Sequence, residues 1–154
     1  MKVDYINPFL TASQKIIKTV LRLDMALGTL SVKGSHDLNE IIVIIIGVKG
    51  DFAGKISFCI PHETACKIAS IMMEKKVTRL DDISKSAVGE LGNMILGRSG
   101  IIFANHGINV VISPPTIVQA KRLTISPTYK QIVNIPLNLS NNTSIDIEIE
   151  INDK

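Results

Sequence analysis

The chain has 154 residues, 45% hydrophobic and 4% aromatic, and carries a formal net charge of +3 from 17 basic and 14 acidic side chains. That length and apolar content suit one domain with a real core and exclude a disordered chain. The charges are scattered without a long run of one sign and tryptophan is absent, so neither a basic nucleic-acid footprint nor a base-stacking platform is present.

The N-terminal MKVDYINPFL has no apolar stretch of signal-peptide length, and the longest apolar run, 41–46, is too short to cross a membrane. A cytoplasmic protein without a membrane partner is expected. Cys59 and Cys66 have no C-x-x-C companion and read as buried thiols in a reducing compartment.

In chain order, Phe9, Ala12, Ile16, Ile17, Val20 and Leu21 follow Pro8 at helical spacing and predict an amphipathic first helix that ends before Gly28. The β-branched run Glu40 to Val48 predicts a buried strand. VKGDFAGK turns the chain, and Lys55 to Ile60 returns as its antiparallel partner. Pro61 closes that strand, and His62 to Met73 predicts a second helix with Glu63 in its first turn. A third helix follows the polar EKKVTRLDD, from about Asp82 to Asn105, and stops at His106-Gly107. The remainder reads as strands at Asn109–Ser113, Leu123–Ser126, Lys130–Leu139 and Ile145–Ile151, with Pro114-Pro115 and Asn141-Asn142 as turns. The expected fold is α+β, a single domain over 1–154 in which about six mostly antiparallel strands carry three helices on one face.

The third helix is unusual. SAVGELGNMILGRSG places glycine at 89, 92, 97 and 100, and each costs a helix interior about 1 kcal/mol relative to alanine. At about 100° per residue, Asp82, Ser86, Gly89, Glu90, Asn93, Gly97 and Gly100 share an arc of about 100°. Ile83, Ala87, Val88, Leu91, Met94, Ile95, Ile101 and Ile102 fall roughly opposite and are expected in the core. Small residues flatten a helix so that another surface can approach. Glu90 and Asn93, one turn apart, then rise from the platform as a carboxylate to pair with a cation and an amide that both donates and accepts. An E-x-x-N pair also occurs by chance on surface helices, and the glycines could equally serve packing against the chain's own sheet.

The segment from Ser86 to Gly97 resembles the signature helix of the CheX/CheC/FliY chemotaxis phosphatases, in which Glu and Asn stand in E-x-x-N spacing after an acidic residue or serine. VISPPTIVQA and ETACKIASIMM are similar to the flanking segments of the CheX branch. The first helix, TASQKIIKTVLRLDM, lacks a second E-x-x-N, which sets the chain apart from the CheC and FliY branches. The resemblance implies hydrolysis of the phospho-aspartate of the response regulator CheY. It assigns docking to Glu90 and orientation of the attacking water to Asn93, with Ser86, Gly89 and Gly97 on the partner-binding face. It also implies a homodimer formed through sheet edges. No cofactor of the protein's own is expected, the Mg2+ being held by the regulator. A non-catalytic module that binds the regulator or the flagellar switch is the alternative, and a small-molecule sensory domain a more remote one. His36, His62 and His106 share no ligand spacing, and Gly47 to Gly54 lacks a P-loop ending, so neither zinc nor nucleotide is expected.

Overall fold

The computed structural model describes residues 3–28, 31–33, 36–125 and 132–152. Three helices, α1 (Val3–Ile16), α2 (His62–Met73) and α3 (Asp82–Asn105), lie on one face of a single antiparallel sheet. Its strands are β1 (Met25–Leu27), β2 (Ser31–Lys33), β3 (His36–Gly50), β4 (Ala53–Pro61), β5 (Val110–Ile112), β6 (Thr116–Ile125), β7 (Ile132–Leu139) and β8 (Ser144–Asn152).

These 8 described strands occupy fewer lanes than their number suggests, because the order β1-β7-β8-β4-β3-β5 has β2 also on β7 and β6 also on β3. β1 pairs with the end of β7 at Leu137–Leu139 and β2 with its start at Ile132–Asn134. On the other edge, β6 runs beside His36–Ile45 of β3 and β5 beside Val48–Gly50. The β3–β4 hairpin matches its expected pairing, with Ile42 opposite Ile60 and Val48 opposite Gly54.

Strand alternation determines which side chains meet the helices. Ile42, Ile44, Ile46 and Val48 of β3 join Ile56, Phe58 and Ile60 of β4 and Ile145, Ile147 and Ile149 of β8 in the main core. Ile41, Val43 and Cys59 point the other way and form a small second cluster. The run 41–46 is therefore apolar throughout because both of its faces are covered.

The first helix begins earlier than expected, at Val3, with Pro8 inside it. Proline there removes one intrahelical hydrogen bond, but the turn before it is held from outside. Tyr5 stacks on Phe52 with ring centroids 4.2 Å apart, and buried Phe9 meets Phe103 of α3 edge-on at 5.2 Å. After Ile16 the chain widens into a π-helical turn, Ile17–Leu21, closed by Arg22 in the left-handed region at φ 57°. The helix thus ends at Leu21, and Met25–Leu27 form the unexpected β1. Thr116–Leu123 is likewise strand where only Leu123 onward was expected. Ser126, Lys130 and Gln131, expected to extend β6 and β7, lie outside the described residues.

Candidate functional site

The site is built on α3, which is fastened at both ends. At its start the Asp81 carboxylate accepts from the Ser84 amide at 2.9 Å, and the Ser84 hydroxyl accepts from the Asp81 amide at 2.8 Å. This reciprocal box satisfies donors that a helix start otherwise leaves unpaired. The backbone N–H of Ser84, and then its hydroxyl, hold the Asp81 carboxyl below the usual carboxylate range. At the far end Gly107 takes φ 71°, and Ile108 N–H reaches back to the Phe103 carbonyl at 2.9 Å. His106 donates from Nδ1 to the Ile102 carbonyl at 2.7 Å, the helix-end role expected of it.

The glycines divide by function. A Cβ at Gly92 would stand 3.1 Å from Ile44 Cδ1, tighter than an ordinary contact. Gly92 therefore lets α3 settle onto β3. Gly89 is also buried, because Ile117 of β6 reaches over it and a Cβ there would overlap Ile117 Cδ1. The expectation that Gly89 lies on the open face is corrected: Ile117, on the same sheet face as its partner Ile44, occupies that space. Gly97 differs from both. It is exposed, and a Cβ there would meet nothing within 4 Å. The protein's own packing gives no reason for a glycine at 97.

Asp82, Ser86, Glu90 and Asn93 are exposed beside it, as expected. Neither Glu90 nor Asn93 is engaged in a hydrogen bond or ion pair among the described residues. The apolar arc is the second correction. Val88, Leu91 and Ile95 are buried as expected, but Ile83 and Ile101 are 68% and 55% exposed, and Ser84, Gly89, Gly92 and Ser99 are buried. The buried side of α3 is rotated toward Gly92, Leu96, Ser99 and Phe103, which leaves Ile83 and Ile101 outside.

Asn93 stands on the rim of an open cleft of ≈ 470 Å³. Leu96, Gly97 and Gly100 continue its α3 wall, and Ile112, Pro114 and Pro115 face them. The diproline loop is pinned to β3: Ser113 N–H donates to the Gly47 carbonyl at 2.9 Å, and Ser113 Oγ accepts from Gly47 N–H at 2.8 Å. The Pro114-Pro115 loop, expected as a turn, connects β5 to β6 and is also a wall of the cleft. Its signal as a wall of the cleft was the stiff Pro-Pro pair directly after a strand. Among the described residues no three His, Cys, Asp or Glu side chains could hold a metal ion, and no helix is long and apolar enough to cross a membrane.

A free amide and a free carboxylate one turn apart, on a rigid helix beside an open cleft, can grip a partner and orient a small molecule between them. The family model for chemotaxis phosphatase CheX matches residues 42–138, which include α3 and both walls of the cleft. The chain belongs to the CheX family. It is 28% identical over 152 residues to the CheY-P phosphatase CheX of Thermotoga maritima, covering 98% of this chain and 97% of that protein. Among solved structures, a CheC-like superfamily protein from Shewanella sp. PV-4 is similar with a TM-score of 0.87 at 26% identity, covering 99% of each chain. CheX of Borrelia burgdorferi, solved as a CheX-CheY-BeF3-Mg2+ complex, is similar with a TM-score of 0.75 at 25% identity, covering 97% of this chain and 99% of that one.

Proposed function

We propose that this protein is a hydrolase that removes phosphate from the phospho-aspartate of the response regulator CheY. The observation that carries the reading is Asn93: in a CheX-family chain, its amide is exposed and unengaged on the rim of a cleft, one turn from an equally free Glu90. The relative from Thermotoga maritima, a CheY-P phosphatase, supports the substrate.

An aspartyl phosphate is a reactive mixed anhydride, and the regulator supplies Mg2+ to neutralise the phosphoryl oxygens. What this chain adds is orientation. The Asn93 side-chain oxygen accepts from a water molecule while its NH2 donates toward the phosphoryl group, which lines the water oxygen up with phosphorus. The new O–P bond forms as the bond to the aspartyl oxygen breaks. The aspartate leaves as a carboxylate, the water proton passes to phosphate or solvent, and inorganic phosphate is released. Glu90 pairs with a lysine of the regulator and fixes the register. Ser86 and Gly97 let the regulator come close. Gly89 supports the face from beneath, through Ile117. A hundredfold acceleration requires about 2.7 kcal/mol, within reach of one well-placed amide.

The protein acts in the cytoplasm, where its regulator is, as a homodimer with one site per subunit; sedimentation of the purified chain as a monomer would remove the dimer from this account. The activity is tested by steady-state phosphate release from phosphorylated CheY. Asn93→Ala is expected to lower kcat about a hundredfold with KM little changed, and Glu90→Ala to raise KM about tenfold. Binding of CheY without phosphate release by the unaltered protein would instead identify a non-catalytic module.

A further inference from the structure

The isoleucines that α3 turns outward are not scattered. Ile83, Ala87, Glu90, Met94, Gly97 and Ile101 follow one another at spacings of 4, 3, 4, 3 and 4. All six are exposed or half-exposed. This is the alternation of a helix seam that receives a second helix, each pair of neighbours forming a hole for an incoming side chain. The seam runs about 27 Å at 1.5 Å per residue and contains a single charge, that of Glu90.

The geometry points to an amphipathic helix of the phosphorylated regulator as the occupant, packed along this seam with a cation abreast of Glu90. The inference rests on the regulator reading above and adds the docking element that gives affinity. Continuity is the first argument: Glu90 belongs both to the seam and to the catalytic pair, and Asn93 lies immediately beside it on the cleft side. Charge is the second. A second copy of this chain on the seam would bring two Glu90 carboxylates together, face to face if parallel and about 6 Å apart if antiparallel. Neither arrangement places a cation among the six seam positions, Arg98 standing at their edge, and buried like charges are costly. A partner that brings its own cation has no such conflict.

The test measures binding of CheY activated with beryllofluoride and Mg2+, together with turnover of phosphorylated CheY, for Ile83→Ala, Ile101→Ala and Asn93→Ala. The two isoleucines are exposed, and alanine is the better helix former, so folding is not at risk. Each is expected to weaken binding about tenfold and raise KM while kcat is retained. Val111→Ala, on an exposed residue of β5 away from the seam, is expected to change nothing. A photo-crosslinker placed at 83 or at 101 is expected to label one and the same helix of CheY. Wild-type affinity in both isoleucine variants, cross-links to loops or strands of CheY, or cross-links to a second copy of this chain would each overturn the seam. Unchanged turnover in Asn93→Ala would instead overturn the phosphatase reading, so the two failures are distinct.

Discussion

Replacing Gly97 with alanine separates the needs of the fold from those of the site. Gly97 lies in the interior of α3 and is exposed, and a Cβ there meets nothing within 4 Å. The variant therefore gains the full difference in helix propensity, about 1 kcal/mol. For a domain of this size that raises Tm by about 2–4 °C. The same methyl group sits one turn beyond Asn93, on the wall of the cleft, where the proposed docking would bring the regulator closest. Turnover of phosphorylated CheY is expected to fall about tenfold in kcat/KM, mostly through KM, because a displaced partner loses contacts in both ground and transition states. Gly97→Leu, which carries more bulk into the same cleft, should lose more. Calorimetry and steady-state phosphate release on the same preparations test the pair. A stabilised Gly97→Ala protein with undiminished kcat/KM would refute the claim that this glycine serves an incoming surface.

Two further substitutions test the scaffold. Gly92→Ala presses on Ile44, a core side chain 1% exposed, and is expected to destabilise the protein by about 1–3 kcal/mol in denaturant titration despite its better helix propensity. Asp81→Ala removes the capping carboxylate of α3 and is expected to lower Tm at neutral pH. Because hydrogen bonds from Ser84 depress the folded carboxyl's pKa, this stabilisation is complete above the unfolded carboxylate range. It is lost as pH falls through the depressed folded value. The Tm difference between wild type and Asp81→Ala should therefore shrink on acidification; a gap that widens at low pH would contradict the cap.

The elements easiest to read from sequence were those bounded by local chemistry. Pro61 and the Asp81-Asp82 step before α3 are punctuation that acts within a few residues, and α2 and α3 run His62–Met73 and Asp82–Asn105 as expected. What escaped depends on distant partners. Thr116–Val118 is β-branched, but it follows two prolines and is broken by Gln119, Ala120 and Lys121; the strand runs on because β3 lies beside it. Met25–Leu27 is too short to announce itself and exists through β7. The first turns of α1 precede a proline and form because Tyr5 finds Phe52.

The face of α3 was legible only in part. Ser86, Glu90, Asn93 and Gly97 are exposed on the side where they were expected. Gly89 is inside and Ile83 and Ile101 are outside, because close approach of the helix to the sheet, and not apolar mass alone, decides which side is buried. In α3, Gly89 and Gly92 lie against Ile117 and Ile44 of the sheet and share the buried side with Val88, Leu91, Ile95, Leu96 and Phe103, while Ile83 and Ile101 are left outside. Beyond the Pro-Pro pair the cleft has no local signal, since Asn93 and Pro114 are brought together by β5 turning back along β3.

In the proposed mechanism the Asn93 amide supplies the rate while other residues supply the grip. The most direct measurement is the decay of radiolabelled phosphate on CheY in the presence of a saturating excess of this protein, where differences in affinity no longer matter. With wild type the decay is expected to accelerate about a hundredfold or more over that of CheY alone, and with Asn93→Ala to return close to the rate of CheY alone. Decay as fast with Asn93→Ala as with wild type would contradict the account.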